Sequence, residues 1–258
     1  MAEGYWVIRT YEAGPIGEKI KYWVPGSKPT TSERKIKTDI RQQERNEANA
    51  IKRLARDLNK NFWEKDVWLT LKYSDEGMKK LTVGLDCESE TFEQDLYMVA
   101  QHQVRLWRDR VVKACKAADI EVKYVITTSD MDGKTSEYVR VHHHIVMSGE
   151  AAEIAKSKWK LGGASYKNLF EEVDRSELAA YMLKQVRHMP DEKKYIPSRN
   201  LERPEPKDRI AKSGAELSVP KGGQLLYRAE YQPGRPQYIR YIHPEVEKIL
   251  KRIVSDIL

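Results

Sequence analysis

The order of periodicities along the chain predicts an α+β protein built on an antiparallel sheet with helices on one face. Three observations lead there. Strand-like alternation in Val67–Tyr73 is followed by helical periodicity over 92–118. Two β-rich runs, Glu121–Ser129 and Tyr138–Met147, flank the turn signal Asp130-Met131-Asp132-Gly133. A helix over 150–159, a short strand at Gly163–Leu169 and a helix over 174–189 complete the series. Strand, helix, strand, strand, helix, strand is the split βαβ, or ferredoxin-like, order.

Residues 63–190 hold this core. Ahead of it, 1–62 read as a hairpin and a basic helical extension. The runs YWVIRTY and KIKYWV flank the turn-prone Ala13-Gly14-Pro15-Ile16-Gly17, and PGSKPTT from Pro25 is a linker. A helix from about Ser32 to Phe62 follows, with Ile36, Ile40, Ile51, Leu54, Ala55 and Leu58 as a broken apolar stripe and lysines and arginines on its other faces. Residues 191–258 form a Pro-rich C-terminal extension expected to pack on the core, with a hairpin near Leu225–Ile242 and a helix from Pro244.

Composition narrows the function. The 258 residues carry 46 Lys plus Arg against 39 Asp plus Glu, a net charge of +7, which favours an anionic partner without naming one. Charges interrupt every apolar run, so no membrane span is expected. Cys87 and Cys115 are too few to staple such a chain, and the N-terminal stretch lacks the pattern of a secretory signal, so a reducing cytoplasm is the expected compartment. No phosphate-binding loop of the GxxxxGK[ST] type occurs, and no ATP-driven motor is expected.

Two motifs carry chemistry. In Val139–Met147 the run His142-His143-His144 lies on a strand, so His142 and His144 share one face and His143 takes the other. Two imidazoles at i and i+2 suit one divalent cation; a cluster satisfied by hydrogen bonds is the plainer alternative. In the helix predicted over 174–189, Asp174 and Glu177 form a capping-box-like start. Ala179, Met182, Leu183, Val186 and Met189 make an apolar stripe, while Tyr181, Lys184, Gln185 and His188 lie on another face. A tyrosine outside the stripe and beside Lys184 suits a nucleophile whose phenolate needs a nearby positive charge.

Taken together, the paired histidines and Tyr-x-x-Lys some 40 residues later resemble the rolling-circle replication initiators of the HUH endonuclease superfamily. The likeness is to phage and plasmid replication-associated proteins with one catalytic tyrosine. Trp159-Lys160-Leu161-Gly162-Gly163, Ala179-Ala180-Tyr181, Ser198-Arg199-Asn200-Leu201 and Leu69-Thr70-Leu71 fit that group, over roughly residues 64–205. The resemblance implies that His142 and His144 hold Mg²⁺ or Mn²⁺, that Tyr181 forms a 5′-phosphotyrosine link, and that Lys184 assists. It implies a single-stranded or hairpin origin DNA as substrate, a bacterial host cell, and a host helicase and polymerase as partners. Lys72, Arg187, Arg199 and Arg203 are candidate DNA contacts.

The sequence departs from that pattern in two ways: His143 stands where an apolar residue is usual, and the neighbouring strand lacks the Glu often used as third ligand. Glu121 or Lys123 faces the histidines if the hairpin turns tightly at Asp132-Gly133; Ser129 or Asp130 does so if the loop is longer. A single-tyrosine transposase or a mobilisation relaxase is the alternative that keeps the chemistry. A non-catalytic single-strand-binding protein is the alternative that discards it.

Overall fold

The computed structural model describes residues 4–26, 40–133, 135, 137–169, 173–187, 193–229 and 235–246. In chain order the elements are β1 (Tyr5–Ala13), β2 (Ile16–Val24), α1 (Ile40–Asn61), β3 (Val67–Lys72), α2 (Asp75–Thr82), α3 (Phe92–Ala117), β4 (Tyr124–Met131) and β5 (Tyr138–Met147). They continue with α4 (Ala152–Lys158), β6 (Ala164–Asn168), α5 (Ser176–Lys184), β7 (Ile196–Pro197), β8 (Lys207–Ala211), β9 (Gln224–Arg228) and β10 (Gln237–Ile242). The architecture is α+β, with two antiparallel five-stranded sheets. The chain divides into a core unit, Asn61–Glu172 with Glu177–Leu201, and a terminal unit, Met1–Lys60 with Val173–Ser176 and Glu202–Leu258.

The core sheet runs β6-β3-β5-β4-β7, with the histidine strand β5 in the middle. Its first four strands have the split βαβ arrangement. Strand alternation sorts the side chains. Leu69, Leu71, Ile126, Val141 and Ile145 face α3 and α4 and form one core with Tyr97, Val104, Trp107, Ala152 and Ala155. Leu69 and Ile145 are fully buried, each contributing about 2 kcal/mol by the area it removes from water. Register places Trp68, Thr70, Ser129, His142 and His144 on the opposite face.

Two core elements depart from the sequence reading. Helix α2 was not anticipated: it has eight residues and buries only Gly77 and Leu81, too short a stripe to show periodicity. Its start is capped by the Ser74 hydroxyl, which accepts from the Gly77 amide at 3.1 Å. Helix α5 begins at Ser176 and stops at Lys184, well inside the predicted 174–189. The capping box is replaced by a tighter turn. The Asp174 carboxylate accepts from the Ser176 amide at 3.0 Å and hydroxyl at 2.6 Å, and it also takes Arg240 Nε at 2.9 Å. His188 and Met189 lie outside the described residues.

The terminal unit is built from both ends of the chain. Its sheet runs β8-β1-β2-β10-β9, so strands from the C-terminal extension flank the N-terminal hairpin on both sides. The extension was expected to pack on the core. Its described strands instead complete this second sheet, because the β1–β2 hairpin exposes two edges that need partners. Only the stretch carrying β7 stays with the core, beside β4. The hairpin closes at Gly14-Pro15, where Gly14 takes φ 56° and proline supplies a fixed negative φ, the sign pattern of a II′ turn. Leu54, Ala55 and Leu58 of α1 are buried, and Arg56 reaches the buried Glu18 at 2.6 Å. Most of the predicted linker, the start of the basic helix and the body of the C-terminal helix lie outside the described residues. Among those described, no helix is long and apolar enough to cross a membrane.

Candidate active site

The central strand places two imidazole nitrogens together. His142 Nε2 lies 3.1 Å from His144 Nε2, and the rings stand nearly perpendicular. Each ring is oriented through its other nitrogen. His142 Nδ1 donates to the Arg140 carbonyl at 3.0 Å, which leaves Nε2 as the lone-pair site of the neutral ring. His144 Nδ1 is 3.4 Å from the Thr70 hydroxyl, and Trp68 stacks on its ring at 4.6 Å. Such outer partners set tautomer and ring plane, as they do around metal-binding histidines.

Helix α5 brings the third group. Gln185 Oε1 lies 3.3 Å from His144 Nε2, and Gln185 Nε2 donates to the Tyr181 carbonyl at 3.4 Å, a pairing that orients the amide. Two nitrogens and one oxygen thus converge. A hard divalent cation held at about 2.1 Å by two donors at right angles separates them by about 3.0 Å, close to these spacings. The Ser129 hydroxyl, opposite His142 in the β4–β5 register, is buried without a hydrogen-bond partner. This orphaned oxygen and the donor set fit a divalent ion. Among the described residues no cluster of three or more His, Cys, Asp or Glu has metal-holding geometry, and the third member here is an amide.

Both site histidines are held neutral. Burial, then the neighbouring His142, pushes His144 down to about 3; His142 is lowered chiefly by burial, with Lys72 adding to the effect. Lone pairs therefore face the site at neutral pH. His143 takes the other face, as strand parity predicts. It is fully buried, with the Tyr73 hydroxyl at 2.8 Å and the Thr128 hydroxyl at 3.0 Å on its two nitrogens. It is a satisfied core residue.

Tyr181 is half-exposed on α5, with its ring 5.6 Å from that of His144 and 5.9 Å from that of Trp68. Lys184 is exposed one turn along the helix. Lys72 is exposed opposite His142 in the β3–β5 register. Tyr181 and Lys72 thus lie beside the histidine pair, and Lys184 follows Tyr181 at i+3 on the helix.

The other sequence candidates of the core unit have further partners. Arg187 is largely buried, with Nε and Nη2 each 2.7 Å from Asp130 Oδ2 and its guanidinium 4.7 Å from the Tyr138 ring, so it is spent on protein contacts. Asp130, displaced by a bulge between Ser129 and Met131, gives Oδ2 to Arg187, while its Oδ1 is buried without a hydrogen-bond partner and its charge acts on His142. Glu121 accepts from Asn200 at 2.8 Å, and Arg199 lines a surface groove with Tyr124, at the end of β4 away from Ser129. Arg203 is exposed in the terminal unit. The hairpin loop is the longer one, which puts Ser129 on the histidine face. Sequence reasoning had Gln185 on the tyrosine's side of the helix; its i+4 spacing from Tyr181 was the available signal.

Compared with known proteins, the chain matches no family model, no curated protein and no solved structure.

Proposed function

We propose that this protein is a metal-dependent, single-tyrosine DNA nicking and joining enzyme of the HUH endonuclease kind, which initiates rolling-circle replication of a phage or plasmid. The observation that carries the reading is the convergence of His142 Nε2, His144 Nε2 and Gln185 Oε1 beside the Tyr181 ring.

His142, His144 and Gln185 would hold Mg²⁺ or Mn²⁺, which when bound supplies Lewis-acid polarisation of the scissile phosphate. The Tyr181 oxygen forms a bond to phosphorus and the bond to the 3′-oxygen breaks. Tyr181 gives up its proton and the departing 3′-oxygen gains one, leaving the downstream fragment on the tyrosine through its 5′-phosphate and a free 3′-hydroxyl on the upstream fragment. Lys184, one turn away, offsets negative charge on the phenolate or the phosphate. Trp68 and Thr70 hold His144 in plane. Reversal rejoins the strand without ATP. An accessible single-stranded or hairpin origin is the substrate on this reading. A host helicase and polymerase supply the steps for which the chain carries no phosphate-binding loop.

The test is a denaturing gel after incubation with labelled single-stranded hairpin DNA and Mn²⁺. The expected result is a covalent protein–DNA band that chelator abolishes and Tyr181→Phe lacks. Tight binding with no adduct across a broad pool of sequences would replace the reading with a non-catalytic single-strand-binding protein.

A further inference from the structure

Lys72 stands on the histidine face without a counter-charge. Trp68, Thr70 and Lys72 alternate along β3 on that side, opposite Val146, His144 and His142 in turn. Burial lowers both site imidazoles most, and the Lys72 charge adds to the lowering in each, so its ammonium is within electrostatic reach of both rings. Among the described residues it has no ion pair, whereas Arg140, two residues before His142 on β5, is taken by Asp75 at 2.8 Å. An unpaired cation facing a site built for another cation is unfavourable in the free protein, and an anion bound between them relieves it.

The backbone that carries Lys72 is fixed on both sides. Its amide donates to the Gly163 carbonyl at 2.8 Å, and its carbonyl accepts from Trp159 Nε1 at 3.0 Å. The Ser74 amide donates to the Leu161 carbonyl at 3.0 Å, and a Cβ at Gly162 would collide with the Lys72 carbonyl oxygen. The run Trp159-Lys160-Leu161-Gly162-Gly163 therefore clamps the end of β3. A charged group on a clamped strand end meets a developing charge with little reorganisation.

Position along the strands separates Lys72 from the attacking group. Tyr181 packs at the Trp68–His144 end, with Lys184 on its own helix. Lys72 lies at the His142 end, four residues from Trp68 and so about 13 Å away along β3. In a phosphoryl displacement the attacking and departing oxygens lie on opposite sides of phosphorus. With the phenol at one end of the histidine pair, the departing oxygen falls toward the other.

We propose that Lys72 is a second catalytic lysine, whose ammonium offsets the negative charge that develops on the 3′-oxygen as it leaves. The inference rests on the nicking reading and adds the group that serves its leaving side. The phenol oxygen–phosphorus bond forms and the phosphorus–3′-oxygen bond breaks. Lys72 keeps its proton; the phenol proton passes to water and the departing oxygen takes one from water.

The experiment is single-turnover adduct formation by the full chain at saturating hairpin DNA and Mn²⁺, on two substrates that differ in one atom. One is the ordinary strand; the other has sulfur in place of the departing 3′-oxygen. A thiolate leaves without help, because thiols are far stronger acids than alcohols. Lys72→Met should slow the ordinary substrate about a hundredfold, as loss of an oxyanion-stabilising group does, and leave the sulfur substrate near the wild-type rate. Lys72→Arg keeps the charge and should recover most of the loss. Lys184→Met, on the attacking side, should slow both substrates alike. Calorimetry without DNA should find Mn²⁺ bound by Lys72→Met no more weakly than by wild type, since a repelling charge is gone, and a circular-dichroism melt reports folding. Equal slowing of both substrates by Lys72→Met, or slowing of neither, overturns this inference while the nicking reading stands. A wild-type chain that forms no adduct on either substrate overturns the nicking reading, and the inference falls with it.

Discussion

Arg187 holds Asp130 through two nitrogens at 2.7 Å from one carboxylate oxygen, and this ion pair ties the end of the tyrosine helix to the bulge of the histidine hairpin. Gln185 is two residues before Arg187 and Tyr181 four residues before Gln185. The pair is therefore placed to set how far the amide and the phenol reach over His144. It is mostly buried, and burial pushes the Asp130 carboxyl up against the opposing pull of Arg187. Removing one partner strands the other charge. Arg187→Ala should cost about 3–5 kcal/mol in urea unfolding. Arg187→Lys keeps the charge but loses the planar fork; it should fold and bind Mn²⁺ more weakly than wild type, as read by titration calorimetry.

The two faces of the histidine strand predict opposite phenotypes. Gln185→Ala and His144→Ala should each lower Mn²⁺ affinity at least about tenfold, as loss of a ligand or its close support does. His143→Ala removes a buried ring bonded at both nitrogens, and should cost about 2–4 kcal/mol of stability while the folded fraction binds one Mn²⁺ as before. Calorimetry paired with urea unfolding separates the two effects.

Acidification should destabilise the fold. His143 and His144 are lowered from 6.5 to about 3, in both cases chiefly by burial. The unfolded chain takes up a proton near pH 6.5 and the folded chain does not until about pH 3. Unfolded molecules hold more protons between those values, so the stability is fully present above pH 6.5 and falls as pH drops through this window. The slope is about 1.4 kcal/mol per pH unit for each histidine. Urea midpoints at pH 7.5, 6 and 5, in chelator, check this; a flat profile would contradict the burial of the two rings.

Tyr181→Phe should leave both fold and Mn²⁺ affinity unchanged, because the side chain is half-exposed and it is the ring, which phenylalanine keeps, that packs near Trp68 and His144. Adduct formation should vanish. Lys184→Met should slow the adduct by roughly a hundredfold, within the range expected of a charged group assisting at the reacting oxygen, and leave stability within about 0.5 kcal/mol as for an exposed substitution.

Local periodicity made much of this legible. Alternation in β3 and strand parity in β5 set the faces of those strands, and with them the pairing of His142 with His144 away from His143; which residues of β4 face the pair was left to the length of the hairpin loop. The long apolar stripe of α3 was equally plain. Short elements escaped: α2 buries two residues, and the exposed β8 shows no alternation of apolar and polar residues.

The site divides the same way. Which histidines share a face, and that Tyr181 and Lys184 stand outside the apolar stripe of α5, follow from the fixed geometry of strand and helix, and so from the sequence by itself. Only the tertiary structure brought Gln185 to His144, committed Arg187 to Asp130, set Arg199 beside Tyr124 and joined the two ends of the chain in one sheet. Those contacts link residues tens to hundreds of positions apart. Loop path, bulge and packing decide them, and no local period in a sequence records such choices.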